Sequence, residues 1–148
     1  MKVKDIMTRD VITLKPEMSV KEAAGMLFKL QISGLPVVDE EGRVVGMFTE
    51  KELLRMVLPS YIEHVEGLTQ LFGEESLEKK FARADSIKVS EIMRKEVVCL
   101  DEDTDIAEAA KIMITKKARR IPVLRENKIV GIIARGDIVR ELVKKAGI

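Results

Sequence analysis

VKDIMTRDVITL at residues 3–14 returns as VSEIMRKEVVCL at residues 89–100. A stretch that recurs at a fixed offset decides the architecture before any single element does. The match extends in both directions from this core. Ser19-Val20-Lys21-Glu22-Ala23-Ala24 lies over Asp105-Ile106-Ala107-Glu108-Ala109-Ala110, and Leu35-Pro36-Val37-Val38 over Ile121-Pro122-Val123-Leu124. Between positions 3 and 40, 11 of 38 residues are identical at an offset of 86, and several other pairs exchange one aliphatic residue for another. One residue is then lost. At an offset of 85, Gly46-Met47-Phe48-Thr49-Glu50-Lys51-Glu52 falls on Gly131-Ile132-Ile133-Ala134-Arg135-Gly136-Asp137.

Each copy carries the same series of local signals. A short β-branched run comes first, Val11–Leu14 or Val97–Leu100, and predicts a strand. Ser19 with Glu22, and Asp105 with Glu108, have the spacing of a helix-capping box. Val20, Ala23, Ala24 and Leu27, like Ile106, Ala109, Ala110 and Met113, then recur on one helical face. Two continuous apolar strands follow, Leu35–Val38 with Val44–Phe48 and Ile121–Leu124 with Ile129–Ile133. Such strands suit a sheet buried by its neighbours. A last helix presents Leu53, Leu54, Val57 and Leu58, or Ile138, Val139, Leu142 and Val143. The unit is β-α-β-β-α, too small to bury much core alone. The expected fold is therefore α+β, two such units packed about a pseudo-twofold axis. The stretch from Pro59 to Asp85 lies between them. Ser60 and Glu63 there have capping spacing, Gly73 is placed to end that helix, and Glu74–Lys80 is helix-prone. Tyr61, Phe72 and Phe81 predict one or two helices laid against the pair.

Composition narrows the function. The 148 residues hold 26 Lys+Arg against 25 Asp+Glu, a net charge of +1. That balance argues against a dedicated nucleic-acid binder. Aromatics are 3%, with no Trp, too few for base-stacking platforms. The longest uncharged run, Leu30–Val38, is nine residues, half of what a membrane span needs. The chain reads as soluble and cytoplasmic, with no membrane partner. The single cysteine, Cys99, cannot form an internal disulfide, and one histidine, His64, cannot build a His-pair metal site. No nucleophile–base pair or phosphate-gripping glycine loop is present, so catalysis is not expected.

The lead-ins Asp5-Ile6-Met7 and Glu91-Ile92-Met93, the turn Ser33-Gly34-Leu35-Pro36-Val37-Val38-Asp39, and Gly46-Met47-Phe48-Thr49-Glu50-Lys51-Glu52-Leu53-Leu54 occur in order, with counterparts in both copies. Together they resemble a tandem pair of CBS (cystathionine-β-synthase-type) domains, a Bateman module. The resemblance implies CBS repeats at 1–58 and 86–148 with a helical insert at 59–85. It implies a regulatory module that binds an adenine nucleotide (AMP, ADP or ATP, sometimes S-adenosylmethionine) in two clefts between the repeats, forms a homodimer, and signals to a regulated protein by changing shape. Carried over by motif, one cleft takes Thr49 and Glu52 with Val98, Arg119 and Arg120. The other takes Asp137 with Ile12, Ile32, Ser33 and Gly34. Two departures stand out: Glu52 where the family usually has Asp, and Ala134 where it usually has Thr or Ser.

The residue chemistry suits these roles. One carboxylate can accept both hydroxyls of a ribose cis-diol. Thr49 precedes a helix start, where free N–H groups favour an anion. Guanidinium forks suit phosphate, and Ile12 and Ile32 suit a flat purine face. Plainer readings exist for each. Thr49-x-x-Glu52 is also a simple capping box, Asp137 an N-cap, and Lys116–Arg120 a solvated helix end. His64 reads as a surface or packing residue and Cys99 as a small core residue. An interaction module with empty clefts and a nucleic-acid binder acting through Lys116–Arg120 are the rival functions.

Overall fold

The lead-in of each repeat is hydrogen-bonded to a part of the chain far from its own strands. The computed structural model describes residues 1–58 and 73–148. They form two units, one of Thr13–Val37 and Val45–Glu96, the other of Met1–Ile12, Val38–Val44 and Val97–Ile148. Repeats and units are thus different divisions of the chain. The mixture of short sheets and helices is of the α+β class.

In the unit built on Thr13–Val37, α1 (Val20–Leu30) buries Val20, Ala23 and Leu27, the spacing of one helical face. The Ser19 hydroxyl accepts the Glu22 N–H at 3.1 Å, and Gln31 in the left-handed region (φ 54°) ends the helix. β1 (Gly34–Val38) pairs with β2 (Val44–Thr49). α2 (Glu50–Val57), α3 (Gly73–Phe81) and α4 (Val89–Ile92) follow. The Val89 and Ser90 N–H groups donate to the carbonyls of Met18 (2.8 Å) and Pro16 (3.0 Å), and Met47 and Arg94 exchange two bonds of 2.9 Å. The core holds Leu14, Leu27, Leu35, Phe48 and Val89. Phe48 and Leu14 are fully buried, each worth about 1.5–3 kcal/mol.

The other unit repeats this plan with β3 (Leu100–Asp101), α5 (Ile106–Thr115), β4 (Arg120–Arg125), β5 (Lys128–Ala134) and α6 (Arg135–Lys145). β4 lies between β3, parallel, and β5, antiparallel. Here the Val3 and Lys4 N–H groups donate to Thr104 (2.8 Å) and Glu102 (3.0 Å), and Thr8 and Ile132 exchange bonds of 2.8 and 2.9 Å. Val3, Met7, Leu100, Met113, Ile121 and Ile133 form its core. The residue lost between the copies is lost at a turn. In one copy Gly42 (φ 82°) turns the chain and the Asp39 carboxylate accepts the N–H groups of Glu41 and Arg43. In the other, Glu126 (φ 50°) and Asn127 (φ 67°) make a two-residue turn with both centres left-handed.

Several expectations are corrected. The strands expected at Val11–Leu14 and Val97–Leu100 shrink to an isolated bridge, Leu14 with Val37, and to β3. The Leu14 N–H reaches the Pro36 carbonyl (2.9 Å). The bond that would lengthen each parallel ladder backwards must come from the nitrogen of Pro36 or Pro122, which has no hydrogen. Gly73 is the first residue of α3, and the helix it was expected to end lies outside the described residues. Asp105 precedes α5 but gives it no side-chain cap; its carboxylate pairs with Lys2 Nζ at 2.9 Å instead. Of the apolar residues on α6 only Ile138 is buried, while Val139, Leu142 and Val143 are exposed. Ser60, Tyr61, Glu63, His64 and Phe72 lie outside the described residues.

Candidate ligand site

Ser33, Gly34, Thr49 and Glu52 come together where β2 becomes α2, and Arg119, Arg120 and Asp137 where β5 becomes α6. At the β2–α2 junction Thr49 is extended (φ −129°, ψ 171°) and caps the helix. Its hydroxyl accepts the Lys51 N–H at 3.2 Å and donates to Glu52 Oε1 at 2.7 Å. Glu52 Oε1 also accepts the Thr49 N–H at 3.1 Å. The capping box therefore forms, and it consumes one oxygen of the carboxylate. The other, Oε2, is buried without a hydrogen-bond partner in a residue only 4% exposed. Arg55 Nη1 stands 4.0 Å from it. An orphaned buried carboxylate oxygen costs about 1–3 kcal/mol or more, and such exceptions ask for an explanation.

The turn before β1 is stitched to this junction, because the Glu50 N–H donates to the Ser33 carbonyl at 2.9 Å. Gly34 faces it closely: a Cβ there would stand 2.6 Å from Thr49 Cγ2 and 3.1 Å from the Phe48 carbonyl oxygen. Only glycine fits beside that threonine. Ile32 packs against the core of the same unit.

The β5–α6 junction has the same frame. The Ala134 N–H donates to Asp137 Oδ2 at 2.7 Å, and the Arg135 N–H to the Arg119 carbonyl at 2.9 Å. Arg120 stands opposite Ala134 in the β4–β5 ladder. Arg119 and Arg120 are thus both tied by backbone contacts to the junction of their own repeat. Asp137 differs from Glu52 in having both oxygens engaged, since Oδ1 accepts from Arg140 Nη2 at 2.6 Å. A Cβ on Gly136 would meet only the Arg140 guanidinium, at 3.5 Å and beyond. Val98 packs against the core of this unit, and Ile12 is exposed. Arg55 and Arg140 enter only with the structure. Each follows its carboxylate by three residues, a shared spacing that alone reads as surface ion pairing. Cys99 is free and partly buried, and burial pushes its thiol pKa up, which leaves it a poor nucleophile at neutral pH.

Two regions of the chain, residues 3–59 and 89–144, match the family model described as CBS domain. The chain belongs to the CBS-domain family. As a tandem CBS protein it is 31% identical over 140 residues to the inosine-5'-monophosphate dehydrogenase of Methanocaldococcus jannaschii. That match takes in 94% of this chain but 23% of the dehydrogenase. Among solved structures it is similar to the CBS-pair protein CBSX2, known from Arabidopsis thaliana. The complex of CBSX2 with AMP aligns with a TM-score of 0.75 at 26% identity, covering 98% of both chains. The CBS domain pair of protein MJ0100, in complex with 5'-methylthioadenosine and S-adenosyl-L-methionine, aligns with a TM-score of 0.69 at 28% identity, again over 98% of both chains. No helix among the described residues of this CBS pair is long and apolar enough to cross a membrane.

Proposed function

We propose that this CBS pair is a non-catalytic regulatory module that binds an adenosine-containing ligand at its strand-to-helix junctions and reports it to a partner protein by a change of shape. The observation that carries this is Glu52 Oε2, buried and without a hydrogen-bond partner beside a helix start. A ribose hydroxyl would give that oxygen the donor it lacks, in a charge-assisted bond. The adenosine ligands held by CBSX2 and MJ0100 support the class. In this reading Glu52 and Asp137 take the ribose hydroxyls, and Ile12, Ile32, Ser33, Gly34 and Val98 border the base. The chain is also proposed to act as a homodimer. Phe28 on α1 is 86% exposed, and Leu142 on α6 is 56% exposed beside Val139 and Val143; apolar faces of this kind mark interfaces.

The test is thermal unfolding and titration calorimetry with AMP, ADP, ATP and S-adenosylmethionine, on the natural protein and Glu52→Gln. A ligand at about 100 times its Kd adds roughly 2.7 kcal/mol, which for a chain of this size raises Tm by about 5–10 °C. Glu52→Gln keeps an acceptor for the Thr49 N–H and removes a buried charge. Its ligand-free stability should be retained while affinity falls about tenfold or more, the worth of one charge-assisted bond. No shift with any of the four ligands at millimolar concentration would favour the empty interaction module instead.

A further inference from the structure

The carboxylates of the two strand-to-helix junctions differ in the state of one oxygen. Glu52 Oε1 accepts the Thr49 N–H at 3.1 Å, and Asp137 Oδ2 accepts the Ala134 N–H at 2.7 Å, so these two oxygens serve the same cap. Each carboxylate keeps a second oxygen that the cap does not use. In the first repeat that oxygen, Oε2, is buried with no hydrogen-bond partner, and Arg55 Nη1 stops 4.0 Å from it. In the second repeat that oxygen, Oδ1, accepts from Arg140 Nη2 at 2.6 Å. Arg55 and Arg140 hold equivalent positions in the two copies. The oxygen left bare in one repeat is therefore the oxygen taken in the other.

Local sequence accounts for the difference. The Thr49 hydroxyl donates to Glu52 Oε1 at 2.7 Å and holds the longer glutamate arm toward the end of its strand. Ala134 has no hydroxyl, so on that side the backbone N–H alone holds Asp137. Gly136 stands where the first repeat has Lys51. The Arg140 guanidinium lies across this glycine, with Nη1 3.5 Å from where a Cβ would be. The Asp137 side chain is 13% exposed and that of Arg140 75%. A carboxylate so enclosed has few other donors within reach, while a guanidinium so exposed can swing into water at little cost. Helix-surface pairs three residues apart are weak. This contact forms readily and yields readily to a competitor.

We infer that Arg140 is a displaceable latch on the second site. It occupies the Asp137 oxygen that a ribose hydroxyl must take, so this site fills after the one at Glu52, whose corresponding oxygen is bare. Arg140 thus sets the order in which the two sites fill, and it works against the ligand, whereas an arginine beside a nucleotide ordinarily favours binding. The inference rests on the adenosine reading above, in which Glu52 and Asp137 take the ribose hydroxyls.

The experiment is calorimetric titration with adenosine and with AMP, at low and high salt, of the natural protein, Glu52→Gln, and Glu52→Gln combined with Arg140→Ala. Glu52→Gln weakens the first site and leaves the Asp137 site to be measured. Adding Arg140→Ala should tighten adenosine binding there about two- to fivefold, the worth of an exposed ion pair that no longer has to be broken. Raising the salt should tighten adenosine binding to Glu52→Gln in the same direction and leave the double variant unchanged. Adenosine carries no charge, so salt acts on the latch and not on the ligand. This arm needs no substitution at residue 140. An Arg140→Ala change that weakens adenosine binding, or that alters neither affinity nor salt response, would overturn the inference and leave the adenosine reading intact. Failure of adenosine and AMP to bind any of the three proteins would defeat the adenosine reading, and the latch with it.

Discussion

Gly131→Ala should be among the more damaging single-methyl additions in this chain. A Cβ at Gly131 would stand 2.5 Å from Met7 Sδ, 3.0 Å from Met7 Cγ and 2.9 Å from the Thr8 carbonyl oxygen. The thioether is flexible and can turn aside, though Met7 then leaves the core it fills. The carbonyl cannot move alone, because Thr8 and Ile132 are tied by two hydrogen bonds of 2.8 and 2.9 Å. Overpacking of this kind costs about 1–3 kcal/mol, and breaking the bridge adds about 0.5–1.5 kcal/mol per bond. A total near 2–4 kcal/mol is a large part of the roughly 5–15 kcal/mol that holds a domain together. It lowers Tm by about 5–15 °C at this chain length. Gly25→Ala is the control: it lies within α1 with nothing within 4 Å of its added Cβ, and should stabilise by about 0.5–1 kcal/mol. Urea unfolding followed by circular dichroism measures both. If Gly131→Ala unfolds within about 0.5 kcal/mol of the natural protein, close packing of the lead-in on the sheet is not what holds it.

Two further outcomes follow from the caps and the surface acids. Ser19→Ala should cost about 1 kcal/mol, since the hydroxyl caps α1, whereas Asp105→Ala, whose carboxylate does not cap α5 and pairs with exposed Lys2, should cost clearly less in the same urea experiment. The carboxyls of Glu102, Asp103, Asp105 and Asp39 are held below their ordinary pKa by hydrogen bonds from Arg125, Lys4, Lys2 and the Arg43 backbone N–H, respectively. A lowered folded pKa means stability that is complete above the unfolded carboxyl value, near 4, and is lost as pH falls through the folded value. The urea midpoint should therefore drop between pH 6 and pH 3, and drop less in Glu102→Gln; equal midpoints at the two pH values would refute the pairing.

Much of this molecule is legible in its sequence because the repeat tests every local reading twice. The helix faces, the Pro36 and Pro122 strands and the Thr49–Glu52 spacing reappear as α1, α5, β1, β4 and the capped start of α2. Such features depend on period and on neighbours three or four residues away, which adjacency in sequence contains. The shortened first strands were legible in principle, since a proline nitrogen cannot extend a ladder. The outward face of α6 was not, because an apolar stripe says that a face seeks cover, not which face finds it.

What the sequence determined by itself is therefore the family, the repeated element order and the list of candidate side chains, all carried by short-range pattern. Which oxygen of Glu52 is spent on the cap and which is left bare was decided by tertiary structure alone. So was the closure of Arg119 and Arg120 onto the helix start of their own repeat, and the packing of each lead-in methionine over a glycine more than forty residues away. These are long-range contacts between groups whose individual preferences are weak. Their partners are chosen by the packing of whole units, where excluded volume and the demand for hydrogen-bond partners act on all groups at once.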